Sequence, residues 1–166
     1  NPGNHHCPTD ELLESEEKRA AYLDELKKRN LTISAFSCHS NPISPDPVEA
    51  KASDEILRKT IRLAALMGVP VVNTFSGTAG DSEEATAPNW PVIPWPEVYT
   101  DIYKWQWENK LIPYWKEIGE MASEYGVKIG IELHGGFLCH TPYTLLKLRE
   151  NTCDAIGVNL DPSHLW

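Results

Sequence analysis

Two stretches of the chain, "VKIGIELH" (127–134) and "IGVNLDPSHLW" (156–166), each bring a carboxylate and an imidazole close together: Glu132 with His134, and Asp161 with His164. Carboxylate oxygens and imidazole nitrogens form a mixed donor set suited to a divalent cation such as Mn²⁺, Mg²⁺, Co²⁺ or Zn²⁺. The same groups can move protons near neutral pH. A glutamate inside an apolar run is rare without a partner, because an uncompensated inward carboxylate costs on the order of several kcal/mol. A cation shared by two such carboxylates removes that cost. Asp161 alone has a plainer reading, since aspartate before proline is most often a turn residue. Its pairing with Glu132 makes it a ligand candidate.

Two carboxylates meet only if the elements beneath them lie side by side. In 127–134, alternation places Val127, Ile129, Ile131 and Leu133 on one face and Lys128, Gly130, Glu132 and His134 on the other. In 156–161 the same rule groups Ile156, Val158 and Leu160 opposite Gly157, Asn159 and Asp161. An open sheet covered by helices on both sides needs two apolar faces. A barrel needs only one, and its other face meets the axis, where small and polar side chains line a site at the strands' C-terminal ends. Both carboxylates fall at those ends.

The rest of the chain alternates in the same way. Residues 10–30 carry leucines at helical spacing, acids first and Lys27, Lys28 and Arg29 last, as the helix dipole favours. A strand is expected in 31–40 before the proline-broken 41–47, a helix over 53–67 closed by Gly68, and a strand in 69–77. A proline-rich loop over 77–98 holds Trp90 and Trp95 and is too long for a plain connector. A helix over 99–125 is expected to be interrupted at Pro113 and ended by Gly126, and a short helix opens at Thr141–Pro142. Four strands alternating with helices predict an α/β chain with a parallel sheet. No GxGxxG or GxxxxGK turn is present, which removes the usual nucleotide-fold signatures.

Composition narrows the partners. A net charge of −9 argues against nucleic acid and acidic membranes and favours small polar substrates or a cation. Neither an eighteen-residue apolar run nor a secretory pattern occurs, and four widely spaced cysteines without a CxxC pair read as reduced thiols, so a cytoplasmic location is expected. His39 and His140 read by residue type as loop or satisfied core histidines, the plainer reading prevailing for His140. In "NHHC" (4–7), adjacent histidines on extended chain point opposite ways, so at most one of them faces a site. The aromatics of 102–115 read as helix packing, whereas Trp90 and Trp95 are candidates for lining a pocket mouth, Trp90 as a substrate contact.

Taken together and in order, "ISAFSCHSNPISPDP", "NTFSG", "WQWENKLIPYW", "GIELHGGFL" and "GVNLDPSHLW" resemble the sugar phosphate isomerase/epimerase group of the xylose isomerase-like TIM barrels, a superfamily that also includes endonuclease IV. The resemblance runs along nearly the whole chain. It implies a partial (β/α)₈ barrel, with four parallel strands standing as barrel strands three to six and residues 1–166 forming one incomplete domain. It also implies that Glu132 and Asp161 are the first two of four metal ligands, and that the remaining histidine and glutamate come from strands seven and eight, supplied by a longer protein or by a completing chain, including a homo-oligomer. By resemblance His164 contacts substrate beside the metal, His134 lies close to the first ligand, His39 matches a pocket position, and His6 is a weaker match.

The activity so implied is metal-dependent isomerisation or epimerisation of a sugar or sugar phosphate through an enediolate, with Glu132 as general base and His164 and His134 holding substrate oxygens. A related dehydratase acting on a polyol ketone would use the same intermediate. An endonuclease IV-like nuclease would need several zinc ions, more histidines and a basic face, against six histidines and a charge of −9. A non-catalytic sugar-binding barrel would not need the two carboxylates. On this reading the 166 residues alone bind Mn²⁺ weakly and do not turn over.

Overall fold

A computed structural model describes residues 6–165. Its centre is a four-stranded parallel sheet in the order β1 (Phe36–Ser37), β2 (Val71–Thr74), β3 (Lys128–Glu132), β4 (Ile156–Asn159). Sequence order and spatial order coincide, as successive βα units of a barrel wall require. The register pairs Val72 with Ile129, Ile129 with Ile156, and Glu132 with Asn159. Helices α3 (Pro47–Met67), α5 (Ile112–Glu124) and α6 (Pro142–Glu150) supply the crossovers, and Leu57, Ile61, Trp115, Ile118 and Leu148 are buried with Val72, Ile129, Ile131 and Ile156. The architecture is the expected one: α/β, four parallel strands with crossover helices, a partial barrel wall.

Several element boundaries differ from the sequence expectation for local reasons. The single helix expected over 10–30 is two, α1 (Thr9–Glu14) and α2 (Glu16–Lys27). Ser15 is extended at the break, and its hydroxyl accepts from Lys18 N at 3.2 Å to cap α2. The strand expected over 31–40 shrinks to Phe36–Ser37, because only β2 flanks it. Helix α3 begins six residues before the expected Ser53: Asp46 Oδ1 accepts from Val48 N at 2.8 Å and Pro47 occupies the first turn. It ends where expected, on Gly68 with φ +68°.

The helix expected over 99–125 is continuous in space but changes winding. It runs as α4 (Val98–Gln106), a π-helical turn (Trp107–Leu111), then α5, so the irregularity precedes Pro113, which lies in the first turn of α5 where its missing N–H is harmless. The long 75–97 loop is anchored rather than loose. Gln106 Nε2 donates to the carbonyls of Ala79, Gly80 and Asn89 at 2.7–3.1 Å, and Trp115 Nε1 donates to Ser76 O at 2.8 Å. No helix among the described residues is long and apolar enough to cross a membrane.

Strand β4 departs from the expectation of an apolar covered face. Ile156 is buried, but Val158 and Leu160 are 46% and 60% exposed, since no described helix packs over that end of the edge strand.

Candidate functional site

The site grows out of strand pleating. Ile129 and Ile131 turn toward the helices, so Gly130 and Glu132 turn to the opposite face. The β3–β4 register then sets Asn159 directly beside Glu132. Gly130 lies one step below, where a Cβ would come 2.4 Å from Asn73 Oδ1 and 3.4 Å from Asn159 Cβ. Glycine therefore forms a floor over which two asparagines lean.

Glu132, with its side chain 13% exposed, is gripped on one oxygen. His39 Nε2 lies 2.9 Å from Oε2, and Asn159 Nδ2 donates to the same atom at 2.6 Å. Because a carboxylate only accepts, His39 donates from Nε2. The other oxygen, Oε1, faces His164 Nε2 at 3.4 Å.

Asp161 repeats the arrangement. It caps the 3₁₀ turn Pro162–His164, with Oδ1 accepting from Ser163 N at 2.9 Å and Ser163 Oγ at 2.7 Å, while Oδ2 lies 3.5 Å from His164 Nε2. The two bonds from Ser163 hold the Asp161 carboxyl below its usual range. The turn reading and the ligand reading of Asp161 thus coexist, since capping occupies one oxygen and leaves the other directed at His164.

One donor atom each from Glu132, Asp161 and His164 fall within 4.8 Å of one another. Around a cation with bonds of about 2.1 Å, adjacent ligands lie about 3 Å apart and opposite ones about 4.2 Å. Two carboxylates and an imidazole are also the chemistry a divalent cation needs, so the residues present fit such an ion. His164, expected beside the metal, stands at ligand distance from both carboxylates.

Aromatic rings enclose this cluster. Phe75 packs on His39 (centroids 4.4 Å apart), on Phe137 (4.3 Å, stacked) and on His134 (5.2 Å), and His134 packs on His164 at 4.2 Å. His134 Nδ1 donates to Gly135 O at 2.6 Å, leaving Nε2 as its free nitrogen. Trp90 lies farther out, donating to Phe137 O at 2.9 Å and presenting its ring to His140. His140 keeps a buried Nδ1 with no hydrogen-bond partner among the described residues. His6 is exposed and its carbonyl accepts from Tyr22 OH, while the neighbouring His5 lies outside the described residues. Sequence reasoning assigned no role to Asn159, Ser163, Phe75 or Phe137. Asn159 had already been placed on the polar face, but only the register reveals its partner.

Comparison with known proteins adds three findings. Residues 4–166 match the family model described as xylose isomerase-like TIM barrel. An uncharacterized protein of Bacillus subtilis (strain 168), YfiH, is 41% identical over 163 residues, covering 96% of this chain and 52% of YfiH. Among solved structures, a D-psicose 3-epimerase crystallised in the presence of D-fructose aligns with a TM-score of 0.60 at 16% identity, covering 95% of this chain and 52% of that one. A xylose isomerase-like TIM barrel protein from Mycobacterium smegmatis in complex with magnesium aligns at 0.59 and 19% identity, covering 91% and 48%. The chain thus spans about half the length of the relatives it matches.

Proposed function

The chain belongs to the xylose isomerase-like TIM barrel family, and from that premise we propose that it contributes Glu132, Asp161 and His164 to a metal-dependent site that isomerises or epimerises a sugar or sugar phosphate. The observation that carries the proposal is the convergence of these three side chains at the C-terminal ends of β3 and β4. Active sites of such barrels lie at that end. The D-psicose 3-epimerase and the magnesium-bound barrel protein support the reading by likeness of fold.

When bound, a divalent cation held by Glu132, Asp161 and His164 supplies Lewis-acid polarisation for a substrate carbonyl and its neighbouring hydroxyl. Glu132 removes the proton from the carbon next to the carbonyl. Both lone pairs of its Oε2 are engaged by His39 and Asn159, so the two lone pairs of Oε1 remain, one to face the cation and one to receive the proton. The substrate then carries an enediolate. Glu132 gives the proton back to the neighbouring carbon, while the hydroxyl proton passes between the two oxygens, to form the isomer. The epimer needs a donor on the opposite face, the place of the second glutamate that the family resemblance puts on a later strand. His134, with Nε2 free, holds a substrate oxygen beside His164. Phe75 and Phe137 exclude water from that side of the cluster. Trp90 lines the mouth, where an aromatic face suits the C–H surface of a sugar.

The test is exchange of the substrate's α proton with solvent deuterium, followed by NMR in the full-length protein that includes the later barrel strands, with Mn²⁺ and a ketohexose panel of D-psicose, D-tagatose and D-fructose. Glu132→Gln keeps the shape but removes the base together with a ligand charge, so exchange is read at saturating Mn²⁺, where it is expected to fall by at least about a hundredfold. Exchange at the unmodified rate would sink the assignment.

A further inference from the structure

Both carboxylates of the site are held through one oxygen and present the other, yet the holding groups differ. Asp161 is held by Ser163, a neighbour in sequence that any Asp-Pro-Ser turn would bring along. Glu132 is held by His39 and by Asn159, which reaches it from the adjacent strand across 27 positions of chain. We propose that Asn159 is a positioning residue: its amide donates to Oε2 of Glu132 and, with His39 on the same atom, turns Oε1 alone toward Asp161 and His164. This rests on the metal-site reading given above and deepens it.

Three observations carry the assignment. First, the β3–β4 register places Asn159 opposite Glu132 on the same face, and the contact at 2.6 Å is in the range of charge-assisted bonds. Second, Gly130 leaves room beside Asn159: a Cβ there would press on Asn159 Cβ at 3.4 Å and closer still on Asn73 Oδ1. Third, an amide is a donor without a charge. A lysine or arginine in its place would also satisfy Oε2, but it would cancel the negative charge that attracts a cation to Oε1. A carboxylate in its place could not donate. Among side chains of this length, asparagine alone orients Glu132 and leaves the site acidic.

Partners that orient metal ligands through hydrogen bonds contribute about tenfold to a hundredfold in metal affinity or activity. The discriminating substitution is Asn159→Leu, which keeps the length and the branching at Cγ and removes the donor. In the full chain, calorimetric titration with Mn²⁺ is expected to show affinity reduced about tenfold or more, with the melting midpoint of the cation-free protein within about two degrees of the unmodified chain. Asn159→Ser, which keeps a hydroxyl donor on a shorter arm, should fall between the two in affinity. If Asn159 only fills space, Asn159→Leu binds Mn²⁺ as the unmodified protein does while Asn159→Ser is the weaker of the pair; that order overturns the proposal. If the unmodified chain itself takes up no Mn²⁺, the metal-site reading falls and this assignment with it. If Asn159→Leu loses its fold, Asn159→Ala beside Asn159→Ser decides, since both shorten the side chain and only serine keeps a donor: tighter Mn²⁺ binding by the serine variant supports the orienting role, and equal affinities overturn it.

Discussion

Asp161 and Glu132 carry the same instruction in two forms, one oxygen tied down and one left to face His164. For Asp161 the tie is local, so its consequence can be isolated. Ser163→Ala removes the hydroxyl bond, and the Asp161 pKa is expected to rise toward the ordinary carboxylate range, as a carboxyl ¹³C NMR titration would read. The sign for stability follows. A carboxyl held low in the folded state contributes stability above its unfolded pKa and loses that contribution as pH falls through the folded value. Unfolding curves of the variant and the unmodified chain should therefore differ near neutrality and converge in acid; a gap that persists below the folded pKa of Asp161 would show that Ser163 acts by another route.

Between elements, one tight constraint is the contact of α5 with the loop before β4. At Gly119, a Cβ would lie 2.5 Å from Cys153 Sγ and 3.5 Å from Ile156 Cδ1, so the helix approaches the sheet only because no side chain intervenes. Gly119→Ala is expected to cost roughly 1–3 kcal/mol by overpacking, seen as a melting midpoint several degrees lower. Adding Cys153→Ala removes the colliding sulfur, and the double variant should recover part of the loss; an unrecovered midpoint would place the strain elsewhere. The helices themselves were mostly legible in advance. Gly68 and Gly126 mark the ends of α3 and α5 and Thr141–Pro142 the start of α6, whereas the break at Ser15 is not legible because capping by one hydroxyl competes with an otherwise continuous helical pattern. The interruption expected at Pro113 lies instead in the π turn Trp107–Leu111, since proline is the more obvious breaker even where it fits a first helical turn.

At the scale of the molecule, the charge of −9 and the acidic cluster act in the same direction on a cation. Long-range attraction of this kind is screened by salt, with a Debye length of about 10 Å at 0.1 M. Mn²⁺ affinity in the full chain should therefore weaken steadily between about 0.01 and 0.3 M inert salt; an affinity indifferent to salt would confine the attraction to the direct ligands.

The sequence alone determined the strand and helix order, the polar face shared by Gly130, Glu132, Gly157 and Asn159, and the pairing of Glu132 with Asp161, because pleating has a period of two and any reader of the chain can apply it. It supported both a turn and a ligand reading of Asp161, and only the folded geometry allows both, by dividing them between two oxygens. His39, 93 residues from Glu132, and Asn159, on the next strand, meet one carboxylate oxygen only through sheet register. Register depends on how helices and strands pack against one another over the whole domain, and no local pattern encodes it.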